Sequence, residues 1–383
     1  MSKPVLRPEL KQGLRRLVIK IGSAALANPE TGVDQVRIAQ IVADCQQLLA
    51  AGIEVCLVSS GAIQIGRKYL KKPEVESMDY LQACSAIGQP LLKSCYAEAF
   101  RSHGRTSAQV LLTHEDIGNR RRSLNLKNMM KRLMNAGVTP ILNENDSVSF
   151  AEITVGDNDQ LAARVTEMIE ADCLVILSTP DGLYPSDPGD GPAQAISHIS
   201  YKDSFDNFSL VGKSAAGRGG MKTKLEAVRK LTALGIPVII GTFKKEHPVL
   251  AALAGGGTYF EESPQPEKSG RTRWLLANAR LGALVKVDRG AADALLRNSS
   301  LLPSGIIGVE GSFGRGDCIK IICGRETIGT GLAEYAAAEM RKISGCQSDE
   351  IAMILGYCSS KVAVHRDNLV LKERAKHGHK NTG

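Results

Sequence analysis

Two short polar clusters hold most of the chemistry that this chain has to offer. Asn143-Glu144-Asn145-Asp146 follows the apolar run Val138-Thr139-Pro140-Ile141-Leu142. Gly156-Asp157-Asn158-Asp159 precedes residues 160–169, whose apolar positions recur at helical spacing. Singly, Asn and Asp in such places are ordinary turn formers. Together they put three amides and four carboxylates into one strand–turn–helix unit, more than a turn needs. Lys20 lies inside the apolar stretch Leu17-Val18-Ile19-Lys20-Ile21, where burial penalises a cation unless it is paired or faces a cleft. A second basic focus is Ala216-Gly217-Arg218-Gly219-Gly220-Met221-Lys222-Thr223-Lys224, directly before a helical pattern. Backbone N–H groups, the helix dipole and ammonium groups converge there on an anion, most naturally a phosphate. Met221 stands where a Walker A loop needs Gly, and the segment is not G-x-G-x-x-G either.

None of these segments contains His, and no Ser-His-Asp set is in view. A carboxylate acceptor is already ionised at neutral pH and needs no general base. Phosphoryl transfer to a carboxylate therefore fits the residues. Catalysis then consists of holding donor and acceptor in line while lysines and a divalent metal neutralise the moving group. Acids near the phosphates would hold Mg²⁺, directly or through water.

The elements that position these residues read as alternating strands and helices. Residues 17–21 form a short strand ending at Gly22-Ser23. An edge strand would leave Lys20 in solvent, but its place one residue before the strand's end favours a cleft. Asp34 caps a helix with apolar positions Ile38, Ile41, Val42, Cys45, Leu48 and Leu49, closed by Gly52. The strand Val55-Cys56-Leu57-Val58 runs into Ser59-Ser60-Gly61-Ala62, where Gly61 allows close approach to the backbone. Strand, helix, strand in this order reads as a βαβ unit. Residues 81–100 are largely helical, with a break at Gly88-Gln89-Pro90. A strand at 108–112, a helix at 124–135 and the strand ending at Leu142 follow. An alternating segment, 149–155, leads to Asp157, Asn158 and Asp159, each an N-cap candidate for the next helix. Then come an apolar strand at 173–177, a turn-rich loop from Ser178 to Tyr184, a helix at 225–234 and a strand at 237–240. In open α/β sheets, ligands bind at the carboxyl ends of strands and the amino ends of helices, which is where the polar clusters fall.

The chain has 383 residues, 43% of them apolar, enough for one large and one small domain. Charged residues and Pro264 and Pro266 mark a linker within 261–273. Beyond it the pattern changes to short strands at 284–287 and 318–322. Between them lie a short helix around 291–296 and the turn-rich loop Gly311-Ser312-Phe313-Gly314-Arg315-Gly316-Asp317. We assign residues 1–262 to a catalytic domain, 263–277 to a linker, 278–366 to a small mostly-β domain and 367–383 to a basic tail, frayed from 372 onward. Nine Cys occur without a C-x-x-C pair. Cys318 and Cys323, read as lying on a strand pair, lack partner His at zinc spacing, and Cys56 and Cys173 read as reduced, buried thiols. Neither disulfides nor a zinc site is expected. The apolar runs are too short to cross a bilayer and no long apolar segment follows the basic N-terminus, so a cytoplasmic, non-membrane protein is expected. The net charge of +8 suits anionic ligands.

Five ordered motifs carry a family resemblance: Val18-Ile19-Lys20-Ile21-Gly22-Ser23, Ser59-Ser60-Gly61-Ala62-Ile63, Asn143-Glu144-Asn145-Asp146, Gly156-Asp157-Asn158-Asp159 and Gly219-Gly220-Met221-Lys222-Thr223-Lys224. Together they resemble the glutamate 5-kinases of the amino-acid kinase superfamily. Ser300-Leu301-Leu302-Pro303-Ser304-Gly305-Ile306 and Val362-Ala363-Val364-His365-Arg366-Asp367 resemble the appended PUA domain of the long bacterial form. The resemblance implies an α/β three-layer αβα sandwich with a mainly parallel sheet, plus a small mostly-β PUA domain. It implies ATP-dependent phosphorylation of the γ-carboxylate of L-glutamate, the first step of proline biosynthesis, with Mg²⁺, feedback inhibition by proline and self-association into a homo-oligomer. Lys20 and Lys224 would stabilise the transferring phosphoryl group, with Lys20 on ATP. Asp157 and Asp159 would orient those lysines or the metal. Ser60, Asn143, Asp146 and Asn158 would bind glutamate, Asp146 on its ammonium. Ser178, Thr179, Arg218, Gly219, Gly220, Met221, Lys222, Thr223 and Lys224 would line the nucleotide site.

Two segments depart from the family's pattern: Ser178-Thr179 replaces a usual Thr-Asp, and Arg218 replaces a common Thr. Losing an acid and gaining a base in the nucleotide loops bears on ATP affinity or nucleotide choice. The rivals within the fold are acetylglutamate, aspartate, uridylate and carbamate kinases, against which the PUA tail and the paired Asn/Asp motifs argue. The rival from another class is an RNA-binding or RNA-modifying protein, because PUA domains elsewhere bind RNA. The small domain has no evident aromatic stacking platform for it.

Overall fold

The computed structural model describes residues 4–10, 13–28, 30–148, 157–185, 194–203, 220–264, 283–324 and 326–371, with the backbone alone described for His114, Gly118, Arg120, Arg121 and Asp157. The chain divides into two compact units, Met1–Glu267 and Lys268–Gly383.

In the first unit, β1 (Arg16–Ile21) is followed by the single turn α1 (Ser23–Leu26) and the hairpin of β2 (Ala27–Asn28) and β3 (Gly32–Val33). Next, α2 (Gln35–Ala50) crosses to β4 (Glu54–Val58). Then come α3 (Ala62–Gly66), α4 (Met78–Ser102), β5 (Ser107–Leu112), α5 (His114–Gly118), α6 (Arg120–Asn135) and β6 (Thr139–Glu144). The unit continues with α7 (Asp157–Met168), β7 (Cys173–Ser178), β8 (His198–Ile199), α8 (Met221–Ala233), β9 (Val238–Thr242), α9 (Pro248–Leu253) and β10 (Thr258–Phe260). Eight strands form one sheet in the order β5-β6-β4-β1-β7-β9-β10-β8, and among the described residues only the β9–β10 pairing is antiparallel. The chain builds outward from β1 on one side through β4, then returns to its other side with β7. That reversal opens a crevice at the strands' carboxyl ends.

Side-chain alternation along each strand decides which layer a residue meets. Leu17, Ile19 and Ile21 of β1 join a core with Ile38, Ile41 and Leu48 of α2, Leu92 and Tyr96 of α4, and Val249 of α9. Val18 points the other way, into a core with Met130 of α6, Leu161 and Val165 of α7, and Leu225 and Val228 of α8. Helices thus cover both faces of a mainly parallel sheet, as the αβα resemblance implies. Asp34 caps α2 by accepting a hydrogen bond from the Arg37 backbone N–H at 2.8 Å.

Several local expectations are corrected. Gly88-Gln89-Pro90 does not break a helix, since α4 runs unbroken through Pro90. Proline removes one helical hydrogen bond, but the buried stripe of Leu81, Cys84, Leu92, Tyr96 and Phe100 holds both halves of α4 on the core. Gly88 also serves close packing: a Cβ there would lie 1.9 Å from the Ala62 carbonyl oxygen, and one on Gly66 would lie 1.8 Å from that of Cys84. Strand β6 continues past Leu142, because Asn143 and Glu144 still pair with Leu111 and Leu112 of β5. Helix α7 starts at Asp157, so Asp157, Asn158 and Asp159 form its first turn rather than its cap. Helix α8 starts at Met221, not Leu225, which puts Lys222, Thr223 and Lys224 inside its first turn. The alternating segment 149–155, Gly156 and residues 216–219 lie outside the described residues.

The second unit carries a five-stranded sheet. It is built from β11 (Leu284–Val287), β12 (Ile306–Glu310), β13 (Cys318–Cys323), β14 (Glu326–Leu332) and β15 (Leu369–Leu371), in the order β12-β11-β13-β14-β15. Among the described residues three short helices, α10 (Arg289–Leu296), α11 (Ala337–Ile343) and α12 (Ile351–Leu355), accompany it. Leu301 and Val364 form an antiparallel bridge, which ties the two motifs read from the sequence in this half to each other. Strand β15 adds to the sheet beyond residue 366, so the start of the tail at 367 is corrected; residues 372–383 lie outside the described residues. Cys318 and Cys323 are the two ends of one strand, not members of a strand pair, and all nine cysteines are free thiols.

Candidate active site

Strand parity and helix starts bring several of the predicted residues together. Lys20 shares Val18's face of β1 and so points to the layer of α7 and α8. It lies between β4 and β7, registered against Val58 and Ile176, which rules out the solvent-exposed edge position. Its Nζ lies 2.6 Å from Asp159 Oδ1 in the first turn of α7. Lys224, in the first turn of α8, approaches the other oxygen of the same carboxylate at 3.2 Å. Thr223 Oγ lies 3.0 Å from that Oδ2 and 2.9 Å from the Gly220 carbonyl oxygen, and can donate its one proton to either. Asp159 is fully buried and both lysines nearly so.

Electrostatics at this triad is a contest between burial and charge. Burial pushes the Asp159 carboxyl up, but the ammonium groups of Lys20 and Lys224, with hydrogen bonds from Lys20 and Thr223, outweigh it and hold the carboxyl below its ordinary value. For Lys224, burial wins, with Lys20 adding to it. Its ammonium loses its proton more easily than an ordinary lysine despite Asp159. One carboxylate thus gathers two cations near the carboxyl end of β1.

The amide cluster occupies the neighbouring ground. Asn143 shares the face of Ile141 on β6, toward α4, and donates from Nδ2 to Gln89 Oε1 at 2.7 Å. Asn158, beside Asp159 on α7, donates to Ser60 Oγ at 3.0 Å and to Asn143 Oδ1 at 3.3 Å. Asp146 accepts from Ser85 Oγ of α4 at 2.9 Å. Ser60 follows β4 at Gly61, whose φ of 91° is a left-handed conformation that glycine adopts freely. Ser178 ends β7 beside Thr242 of β9, and Thr242 Oγ donates to the Thr179 carbonyl at 3.2 Å. Gly220, Met221 and Lys222 lie at the start of α8. Arg218, Gly219 and the side chain of Asp157 lie outside the described residues.

Sequence reading missed Gln89 and Ser85. Their four-residue spacing on a stripe otherwise made of Leu81, Gly88, Leu92 and Tyr96 was a usable signal, since polar residues interrupting a buried helical stripe are uncommon. Pro90 hid it by breaking the apparent helix. Among the described residues, no group of three His, Cys, Asp or Glu side chains gathers as a metal cage.

Comparison with known proteins places this crevice in context. The model described as amino acid kinase family matches residues 15–242, and that of the PUA domain matches residues 284–355. The chain is therefore an amino acid kinase with an appended PUA domain. Three curated relatives are each named glutamate 5-kinase. That of Trichlorobacter lovleyi is 41% identical over 377 residues, covering 96% of this chain and 99% of its own. That of Carboxydothermus hydrogenoformans is 42% identical over 373 residues, covering 95% and 99%. That of Thermus thermophilus is 41% identical over 377 residues, covering 97% and 100%. The chain belongs to the glutamate 5-kinase family.

Proposed function

We propose that this chain transfers the γ-phosphoryl group of ATP to the γ-carboxylate of L-glutamate, giving L-glutamyl 5-phosphate and ADP, the first step of proline biosynthesis. Near full-length identity of about two residues in five with glutamate 5-kinases supports the activity. The observation that carries the mechanism is the pair of buried lysines held on Asp159 beside an amide-rich pocket.

In the reaction a carboxylate oxygen of glutamate attacks the γ-phosphorus, and the bond from that phosphorus to the bridging oxygen of ADP breaks. Charge spreads over the three peripheral oxygens of the moving group. Lys20 and Lys224 neutralise it from fixed positions, so little reorganisation is left for the moment of transfer. Asp159 sets their spacing, with Asp157 as its neighbour in the same turn. Ser60, Asn143 and Asn158 hold the amino acid, and Asp146 takes its ammonium group. Ser178, Thr179 and residues 218–224 line the nucleotide.

Magnesium accompanies ATP in such reactions, shielding its phosphates. The described residues offer it no dedicated cage, and both oxygens of Asp159 already face lysines. Asp157, beside Asp159 in the first turn of α7, would hold it directly or through water. Proline as a feedback inhibitor, a homo-oligomeric assembly and a cytoplasmic location complete the proposal. Nine free thiols suit a reducing compartment, and no helix among the described residues is long and apolar enough to cross a membrane.

A hydroxamate-trapping assay with ATP and each acceptor in turn tests the reading. Product with free L-glutamate and none with N-acetylglutamate or aspartate is expected. The reverse pattern would overturn the assignment.

A further inference from the structure

Gln89 anchors one end of a hydrogen-bonded chain that runs through the amino-acid side of the crevice. Its Oε1 accepts from Asn143 Nδ2 at 2.7 Å. Asn143 Oδ1 accepts from the backbone N–H of Glu144 at 3.0 Å and from Asn158 Nδ2 at 3.3 Å. Asn158 Nδ2 also donates to Ser60 Oγ at 3.0 Å.

The two ends of a carboxamide are alike in shape and opposite in hydrogen bonding. One bond removes the ambiguity here. A backbone N–H can only donate, so the Asn143 atom facing Glu144 is its oxygen. Asn143 then turns its NH₂ to Gln89, which has to answer with an oxygen. Asn158 in turn has to approach Asn143 Oδ1 with its own NH₂. With that NH₂ engaged by Asn143 and Ser60, Asn158 is left with Oδ1 as an acceptor. That atom is buried and has no hydrogen-bond partner among the described residues. A buried, orphaned acceptor awaits a donor. One helical turn before Gln89, Ser85 orients a second acceptor, the Asp146 carboxylate, at 2.9 Å. The group that complements an amide oxygen and a carboxylate together is a cationic donor.

We infer that Gln89 is a specificity-determining positioning residue: by accepting from the Asn143 NH₂ it reinforces the orientation that the Glu144 backbone N–H sets, and so helps to keep Asn158 as an acceptor and to tune the pocket to a free α-ammonium group. Gln89 acts at one remove from the substrate. The inference rests on the functional reading above, which places Asn158 and Asp146 in the acceptor pocket.

The test uses the full chain and three variants. Q89M removes the acceptor at nearly constant size, Q89K can only donate, and Q89E keeps an acceptor oxygen. KM and kcat are measured for L-glutamate and ATP, and glutarate, which is glutamate without its amine, serves as a competitor. Q89M and Q89K are expected to raise the glutamate KM at least tenfold, with kcat and the ATP KM within threefold of the parent. The ratio of glutarate Ki to glutamate KM should fall at least fivefold. Q89E should recover both quantities to within threefold. An unchanged ratio in Q89M and Q89K, or a Q89E protein no better than they are, overturns the inference while leaving the kinase assignment standing. A parent enzyme that forms no glutamyl hydroxamate removes the functional reading itself, and the inference with it.

Discussion

Lys20, near the carboxyl end of β1, and Asp159, in the first turn of α7, form a buried ion pair 2.6 Å long. Lys224 completes it from α8 at 3.2 Å. Three elements distant in the chain therefore deliver two cations to one point, and the consequences are measurable.

Lys224→Ala should lower kcat about 10²- to 10³-fold, the loss typical of removing one preorganised donor at a reacting centre. The glutamate KM should move by less than about threefold, because the charge is needed mainly during transfer. Steady-state kinetics with both substrates varied decides it, and unchanged turnover would take Lys224 out of the mechanism.

The same lysine predicts an alkaline limit. Burial lowers its affinity for protons, so kcat should decline with rising pH from below the ordinary lysine value of about 10.4. Stability moves the other way. The folded state holds this proton less tightly than the unfolded chain, so the cost of burying the ammonium is fully present below its folded pKa and is relieved as pH rises through that value. A pH–kcat profile that stays flat to the ordinary lysine range counts against the role.

Asp159→Asn should destabilise the first unit by about 3–5 kcal/mol, the usual cost of removing one member of a buried ion pair. In the parent, a carboxyl with a depressed pKa contributes stability that is complete above the unfolded value of about 3.9. That contribution is lost as pH falls through the still lower folded value. Urea unfolding at neutral pH and across the acid range measures both, and a variant as stable as the parent refutes the ion pair's structural weight.

Asp146→Ala should raise the glutamate KM roughly tenfold to a hundredfold, as loss of a charged hydrogen bond worth about 1.5–3 kcal/mol implies. Turnover at saturation should change far less. Should glutamate still saturate at its original concentration, the ammonium is held elsewhere.

Gly88→Ala places a methyl group 1.9 Å from the Ala62 carbonyl oxygen. Forcing α3 and α4 apart should cost about 1–3 kcal/mol and disturb the adjacent Ser60 and Gln89 together, with a raised glutamate KM as the kinetic sign. A variant with parental stability and KM shows that the two helices part freely.

Much of this was legible because strand alternation and helical spacing are local properties. The burial of Lys20, the Asp34 cap and the polar ends of β4, β6 and β7 follow from residue order alone. What escaped reading was set by tertiary contacts. Asn158 and Asp159 look like caps from the sequence, but their side chains are drawn to Ser60, Asn143 and the lysines, so the helix starts earlier. Pro90 looks like a stop, yet packing of the flanking apolar stripe carries α4 through it. Gln89 and Ser85 were overlooked for that reason, since the misread break concealed the helix face they share.

Asn158 and Asp159 are consecutive residues on a single helical turn, one gripping the amide network, the other the paired lysines. The peptide bond between them works as a rigid coupling between the amide network and the lysine pair. Any tilt or slide of that turn alters both grips in the same movement.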